Sequence, residues 1–207
     1  MVSDAVNRGF LIAIEGIDGT GKTTLAKRLA EHIRRSGRSV VLLKEPTDGP
    51  YGRKIRSLAK QGRQHVAAEE ELELFIQDRI ENCRDRIRPA LERGDVVVLD
   101  RYYLSSVAYQ GALGLDPETI LERNERIAVI PDLVVLLDLP VQDGLDRIRH
   151  TRRSAPDLFE SEAYLEKVRS LFLSIRRPFI QVVDASGHPD DVFDTVSSIT
   201  DDWMNVR

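Results

Sequence analysis

The densest chemistry in the chain lies in residues 16–23, Gly16-Ile17-Asp18-Gly19-Thr20-Gly21-Lys22-Thr23, followed by Thr24. Two framing glycines and a terminal Lys-Thr satisfy the spacing G-x-x-x-x-G-K-[ST]. Such glycines let successive backbone N–H groups curl around phosphate oxygens with no Cβ in the way. The helix that opens next adds partial positive charge at the same point. Lys22 can reach the terminal phosphates of a nucleoside triphosphate, and Thr23 can ligate Mg²⁺. That metal needs a second acid from a neighbouring strand. Two apolar runs, 96–100 and 133–138, end in aspartate. Asp100 is followed by Arg101, which would put a carboxylate for the metal and a guanidinium for phosphate at one strand end. Asp138 is followed by Leu139-Pro140 and reads instead as a cap for the next helix. Asp100 is therefore the favoured ligand.

These groups need a scaffold. Five short β-branched runs, at 10–15, 39–44, 96–100, 133–138 and 179–184, are nearly all apolar rather than alternating. Strands covered on both faces of a parallel sheet read this way. Helical patterns lie between them at 22–35, 68–93, 117–128, 141–148, 162–175 and 189–204. Pro89 falls inside the second and should kink or restart it. The Gly- and Pro-rich stretch 45–52 reads as a loop. Alternating strand and helix predicts right-handed βαβ units in one α/β domain, a three-layer α/β/α sandwich on a five-stranded parallel sheet. Ligands of such sheets bind at the carboxyl ends of the strands.

Composition excludes several classes. Among 207 residues, 30 basic and 34 acidic side chains leave a net charge of −4. That balance argues against a dedicated nucleic-acid binder. No apolar run approaches the roughly 20 residues of a membrane span, and the first residues carry no apolar signal core. Cys83 is the single cysteine, so neither a disulfide nor a cysteine metal cage is available. A cytoplasmic protein with no membrane association is expected. The chain has no N-K-x-D run of the kind guanine-specific switches use. Motors and helicases are usually longer and more basic.

The residues FLIAIEGIDGTGKTT (10–24), Lys44-Glu45-Pro46, Phe75 with Asp78-Arg79, DRYYLSSVAYQG (100–111) and Pro131-Asp132-Leu133 through Asp138 together resemble the thymidylate kinase family. The resemblance spans about residues 10–185. It implies the P-loop NTPase-type fold and phosphoryl transfer from ATP–Mg²⁺ to dTMP by a homodimeric enzyme. Phe75 and Arg79, four apart, share one face of a helix. On spacing alone the plainer reading is a core phenylalanine beside a surface arginine. The resemblance reverses it, implying that Phe75 stacks on thymine and Arg79 binds its O4. By the same matching, Ser106 lies near thymine N3, Tyr109 lies beside the sugar C2′, and Gln110 belongs to the dTMP site. Asp18 would bind the 3′-hydroxyl, and Arg101 and Arg56 the acceptor phosphate. The loop before Arg56, Thr47-Asp48-Gly49-Pro50, departs from the common glycine-glycine form.

A cover is also implied. Gly19 and Thr20 give the phosphate loop no basic side chain, so a lid around residues 147–160 must supply one. Arg147, Arg149, Arg152 and Arg153 are the candidates, the last three as catalytic groups and Arg147 as a residue held on the preceding helix. A solvated basic face is the plainer alternative. Leu158 stands where the common lid pattern has arginine. A related kinase for another pyrimidine nucleotide or for a deoxynucleoside remains the alternative. A nucleoside kinase would need a base for a neutral hydroxyl, and Glu15 would be the candidate.

Overall fold

The computed structural model of the protein describes residues 8–61, 66–151 and 161–206. Five parallel strands, β1 (Phe10–Gly16), β2 (Val40–Lys44), β3 (Val96–Asp100), β4 (Leu133–Asp138) and β5 (Ile180–Asp184), form one sheet in the order β2-β3-β1-β4-β5. Chain order reverses at central β1, which pairs with β3 on one side and β4 on the other. A crevice at the carboxyl end of β1 follows from that reversal. The register brings Ile14 and Lys44 level with Asp100, so the chemistry-bearing strand ends lie along one edge.

Alternation along the strands sorts two cores. Phe10, Ile12 and Ile14 of β1, with Val96 and Val98 of β3, face helices α1 (Lys22–Arg35) and α9 (Pro189–Asn205). Leu11 and Ala13, with Val97 and Leu99, face helices of the opposite layer. That layer includes α3 (Ala68–Asn82), α5 (Tyr103–Ala112), α7 (Val141–Thr151) and α8 (Glu162–Ser174). The expected burial on both faces holds for β1, β3 and β4. β2 and β5 are edges and are partly open, with Val182 at 55% exposure.

Two helices were not expected. α2 (Pro50–Gln61) begins inside the stretch read as a loop. α5 is buried almost all round, so its sequence carries no polar stripe to reveal a helical period. The long pattern 68–93 is broken earlier than Pro89 suggested. A π-helical turn at Cys83–Ile87 separates α3 from α4 (Arg88–Glu92). Pro89 offers no N–H to the carbonyl of residue 85 and its ring crowds that carbonyl, so the preceding turn widens. Helix α6 (Pro117–Glu125) is capped by Asp116, which accepts from Thr119 N.

Candidate active site

The phosphate loop joins β1 to α1 as the motif requires. Gly16, Gly19 and Gly21 have φ values of 140°, 86° and 89°, a region that side chains disfavour. Gly19 also packs against α7: a Cβ there would lie 2.3 Å from the carbonyl oxygen of Gly144. No side chain fits at that position, which is why the loop cannot carry its own cation there. Lys22 is buried and folds back on the loop, its Nζ donating to Ile17 O at 2.5 Å and approaching Thr20 Oγ1 at 3.4 Å. Burial, reinforced by the charge of Arg101, lowers its pKa to about 7.

Thr23 Oγ1 donates to Asp100 Oδ2 at 2.6 Å. Lys44 Nζ lies 3.2 Å from the same oxygen. Two hard oxygen groups thus meet at the head of α1, the kind of partial ligand set that Mg²⁺ completes with water and substrate phosphates. Asp138 is elsewhere. It takes Arg169 of α8 in a two-pronged pair at 2.7 and 2.9 Å, rather than capping the next helix.

Arg101 is the hub between the two halves of the site. Its Nη2 donates to Asp18 Oδ1 at 2.6 Å, and its guanidinium lies 5.1 Å from the centre of the Tyr109 ring. Tyr109 donates its hydroxyl to Asp18 Oδ2 at 3.1 Å. Asp18 therefore points into the site rather than away from the turn. Arg56 reaches over from α2 and is fixed by Thr47 O at 2.6 Å, Pro46 O at 2.9 Å and Asp48 Oδ1 at 2.9 Å.

The far wall is α3. Phe75 is half-buried and lines the cavity, whereas Arg79 is 1% exposed, the reverse of a core ring beside a surface cation. Arg79 binds Glu45 through Nε and Nη2 at 2.9 and 2.7 Å. It also donates to Ser106 Oγ at 3.3 Å and to Asn124 Oδ1. Burial pushes the Glu45 pKa upward against the pull of Arg79. Asp78 takes Thr47 N and Thr47 Oγ1 at 2.7 and 2.6 Å, tying the loop after β2 to α3. Gln110 donates to Glu71 at 3.2 Å, both buried. One cavity of about 660 Å³ runs from Thr23 and Asp100, past Arg101 and Asp18, to Phe75 and Gln110.

Glu15, the candidate base of the alternative reading, is fully buried. Its carboxylate accepts from Tyr102 N and Ser105 N at 2.9 and 3.0 Å, at the start of α5. Burial raises its pKa.

Of the lid arginines, Arg147 donates to Ala185 O at 3.1 Å, so it is held across to the end of β5. Arg149 is exposed and pairs with Asp146 at 3.0 Å. Arg152 and Arg153, with Leu158, lie outside the described residues, as does the 152–160 part of the expected lid. Sequence reasoning gave no role to Lys44, Glu45, Thr47, Asp78, Glu71 or Asn124. Lys44-Glu45-Pro46 and Asp78 were visible as family-like residues, but Glu71 and Asn124 gave no signal before the fold placed them.

The model of the family described as Thymidylate kinase matches residues 14–196. The chain belongs to the thymidylate kinase family. A thymidylate kinase of Xanthomonas euvesicatoria pv. vesicatoria is 54% identical over 184 residues, covering 89% of this chain and 80% of the relative. The probable thymidylate kinase of Archaeoglobus fulgidus is 44% identical over 197 residues, covering 95% and 97%. No described helix is long and apolar enough to cross a membrane, and no described group of three His, Cys, Asp or Glu residues could hold a metal alone.

Proposed function

We propose that this member of the family transfers the γ-phosphoryl group of ATP to dTMP, giving dTDP and ADP. The observation that carries the reading is the single cavity linking the Thr23–Asp100 corner to the Phe75–Arg79 wall, with Arg101 between them. Thymine stacks on Phe75, and Arg79, Ser106 and Gln110 read its edge. Tyr109 crowds the C2′ position, and Asp18 binds the 3′-hydroxyl. Arg101 and Arg56 hold the acceptor phosphate. Residues 16–24 wrap the donor phosphates, with Lys22 on the terminal groups. Thr23 and Asp100 would hold Mg²⁺, which when bound supplies positive charge to the phosphates.

The acceptor is a phosphate oxygen. With a second pKa near 6, it is mostly dianionic at pH 7 and needs no base. The work is to align two polyanions and to neutralise charge spreading over the transferred group. Lys22 and Arg101 do so from below, and Arg149, Arg152 or Arg153 from a lid at 147–160. A deoxynucleoside kinase would need a base at Glu15, and that carboxylate is committed to the start of α5. The reading includes one kinase domain over residues 1–207, a homodimer, a cytoplasmic location, and no nucleic-acid or membrane partner. Family resemblance supports the dimer, unbroken strand–helix alternation supports the single domain, and acidic charge, a single cysteine and the lack of a long apolar run support the rest.

Steady-state assays with dTMP, dUMP, dCMP and thymidine test the substrate. dTMP is expected to be used best; preferential use of thymidine or dCMP overturns the assignment. Sedimentation at micromolar concentration is expected to give a dimer mass.

A further inference from the structure

Arg101 is the one non-glycine residue with positive φ among the described residues, at 71°. An L-residue leaves that conformation unless its surroundings hold it. The end of β1 holds it three times. Ile14 O accepts the Arg101 N–H at 3.0 Å. Gly16 O lies 3.4 Å from Nη1. Between them stands Glu15, 0% exposed, whose Oε2 accepts the Ser105 hydroxyl at 2.5 Å. Ser105 Oγ in turn accepts from Arg101 Nη1 at 3.1 Å. A serine hydroxyl has one proton. Because Glu15 takes it, the oxygen presents lone pairs to the guanidinium. We propose that Glu15, acting through Ser105, is a positioning residue that aims Arg101 at the acceptor phosphate. The inference rests on the reading of Arg101 as a phosphate ligand.

Two roles must be separated. Glu15 also takes Tyr102 N and Ser105 N at the start of α5. If capping is all it does, its loss weakens folding and lowers every ligand affinity alike. If it aims Arg101, its loss falls on ligands that carry a 5′-phosphate. Glu15→Gln keeps the shape, but an amide has only one accepting oxygen. Either its NH₂ confronts the two backbone N–H donors, or it donates to Ser105 and turns that hydroxyl's proton elsewhere. Ser105→Ala removes the bridge and leaves both backbone bonds to Glu15. Ser105→Thr keeps the hydroxyl.

The experiment is calorimetric titration of the full-length protein with dTMP and, separately, with thymidine, which lacks the phosphate. Ser105→Ala and Glu15→Gln are expected to lower the ratio of dTMP to thymidine affinity by about tenfold, the size of one hydrogen bond to a charged group. Ser105→Thr should restore it. Arg101→Met should lower it further. If Ser105→Ala leaves the ratio at the parent value while Arg101→Met lowers it, the positioning inference is overturned and Glu15 is a cap alone. If Arg101→Met itself leaves the ratio unchanged, the phosphate assignment of Arg101 fails, and the inference with it. Should Glu15→Gln not fold, Ser105→Ala decides the matter by itself.

Discussion

The two ends of the cavity are built differently. At the α3 end, Arg79 is sealed among Glu45, Ser106 and Asn124, Asp78 clamps Thr47, and Gln110 meets Glu71. These groups are buried and bonded to one another. At the phosphate-loop end, Lys22 is turned back on its own loop, Lys44 leans on Asp100, and exposed Arg149 lies beside Asp146. A buried, cross-linked wall selects by shape and by donor pattern. Lys44 and Arg149 are largely exposed, and such cations can be redirected when a polyanion arrives. On the proposed reading, the base meets the cross-linked wall and the phosphates meet the cations of the other end.

The contrast breaks first at Arg79. Arg79→Met leaves Glu45, 3% exposed, as a buried carboxylate with no counter-charge and only the Asn82 amide at 3.0 Å for support. The expected loss is about 3–5 kcal/mol of stability, read by urea unfolding. A change below 1 kcal/mol would show the wall is not prebuilt. Lys22→Met should act the other way round. Loss of a donor aimed at developing charge costs about 10²–10³ in kcat. The Lys22–Ile17 bond makes some loss of loop stability expected too, but the melting temperature should move far less than in Arg79→Met.

Among Arg149→Gln, Arg152→Gln and Arg153→Gln, at least one should lower kcat about 100-fold, with a smaller effect on KM for dTMP. If all three stay within a few-fold, no lid arginine meets the transferred group. Arg149→Gln should change stability by less than about 0.5 kcal/mol, since its partner is an exposed neighbour on the same helix. The substrate's methyl group gives a separate test. dTMP should be preferred over dUMP by no more than roughly 200-fold, because one methyl is worth about 1–3 kcal/mol in an apolar pocket. dCMP should be discriminated against more strongly, since its amino group would meet Arg79, donor against donor. Competing rates with the three monophosphates measure both.

The strands and the phosphate loop were legible because local rules govern them: apolar runs make strands, and glycines with Lys-Thr make the loop. Asp100 was legible from its neighbour Arg101, and the Thr23 contact supports that choice. The edge exposure of β2 and β5 was not legible, because strand order is not a property of any one segment. Helix α5 escaped since burial on all sides erases its period. Glu71 and Asn124 escaped for a related reason. Each matters through a partner 39 or 45 residues away, Gln110 or Arg79, and only the sheet's reversal at β1 brings those segments together. The inversion of Phe75 and Arg79, with the charged group deeper than the ring, has the same origin: Glu45 arrives from β2 to neutralise it.

The backbone contact between Gly19 and Gly144 also has a mechanical meaning. With the phosphate loop pressed against the first turn of α7, that helix is pinned near its root. From Gly144 to Thr151 its arm is about 10 Å long at 1.5 Å per residue, so a tilt of about 10° carries the tip only about 2 Å. A pivot so close to the load makes α7 a stiff post. The backbone positions from which Arg147 and Arg149 extend are thus held close to the phosphate loop, and a methyl group added at Gly19 or Gly144 would shift them by prising the post away from its footing.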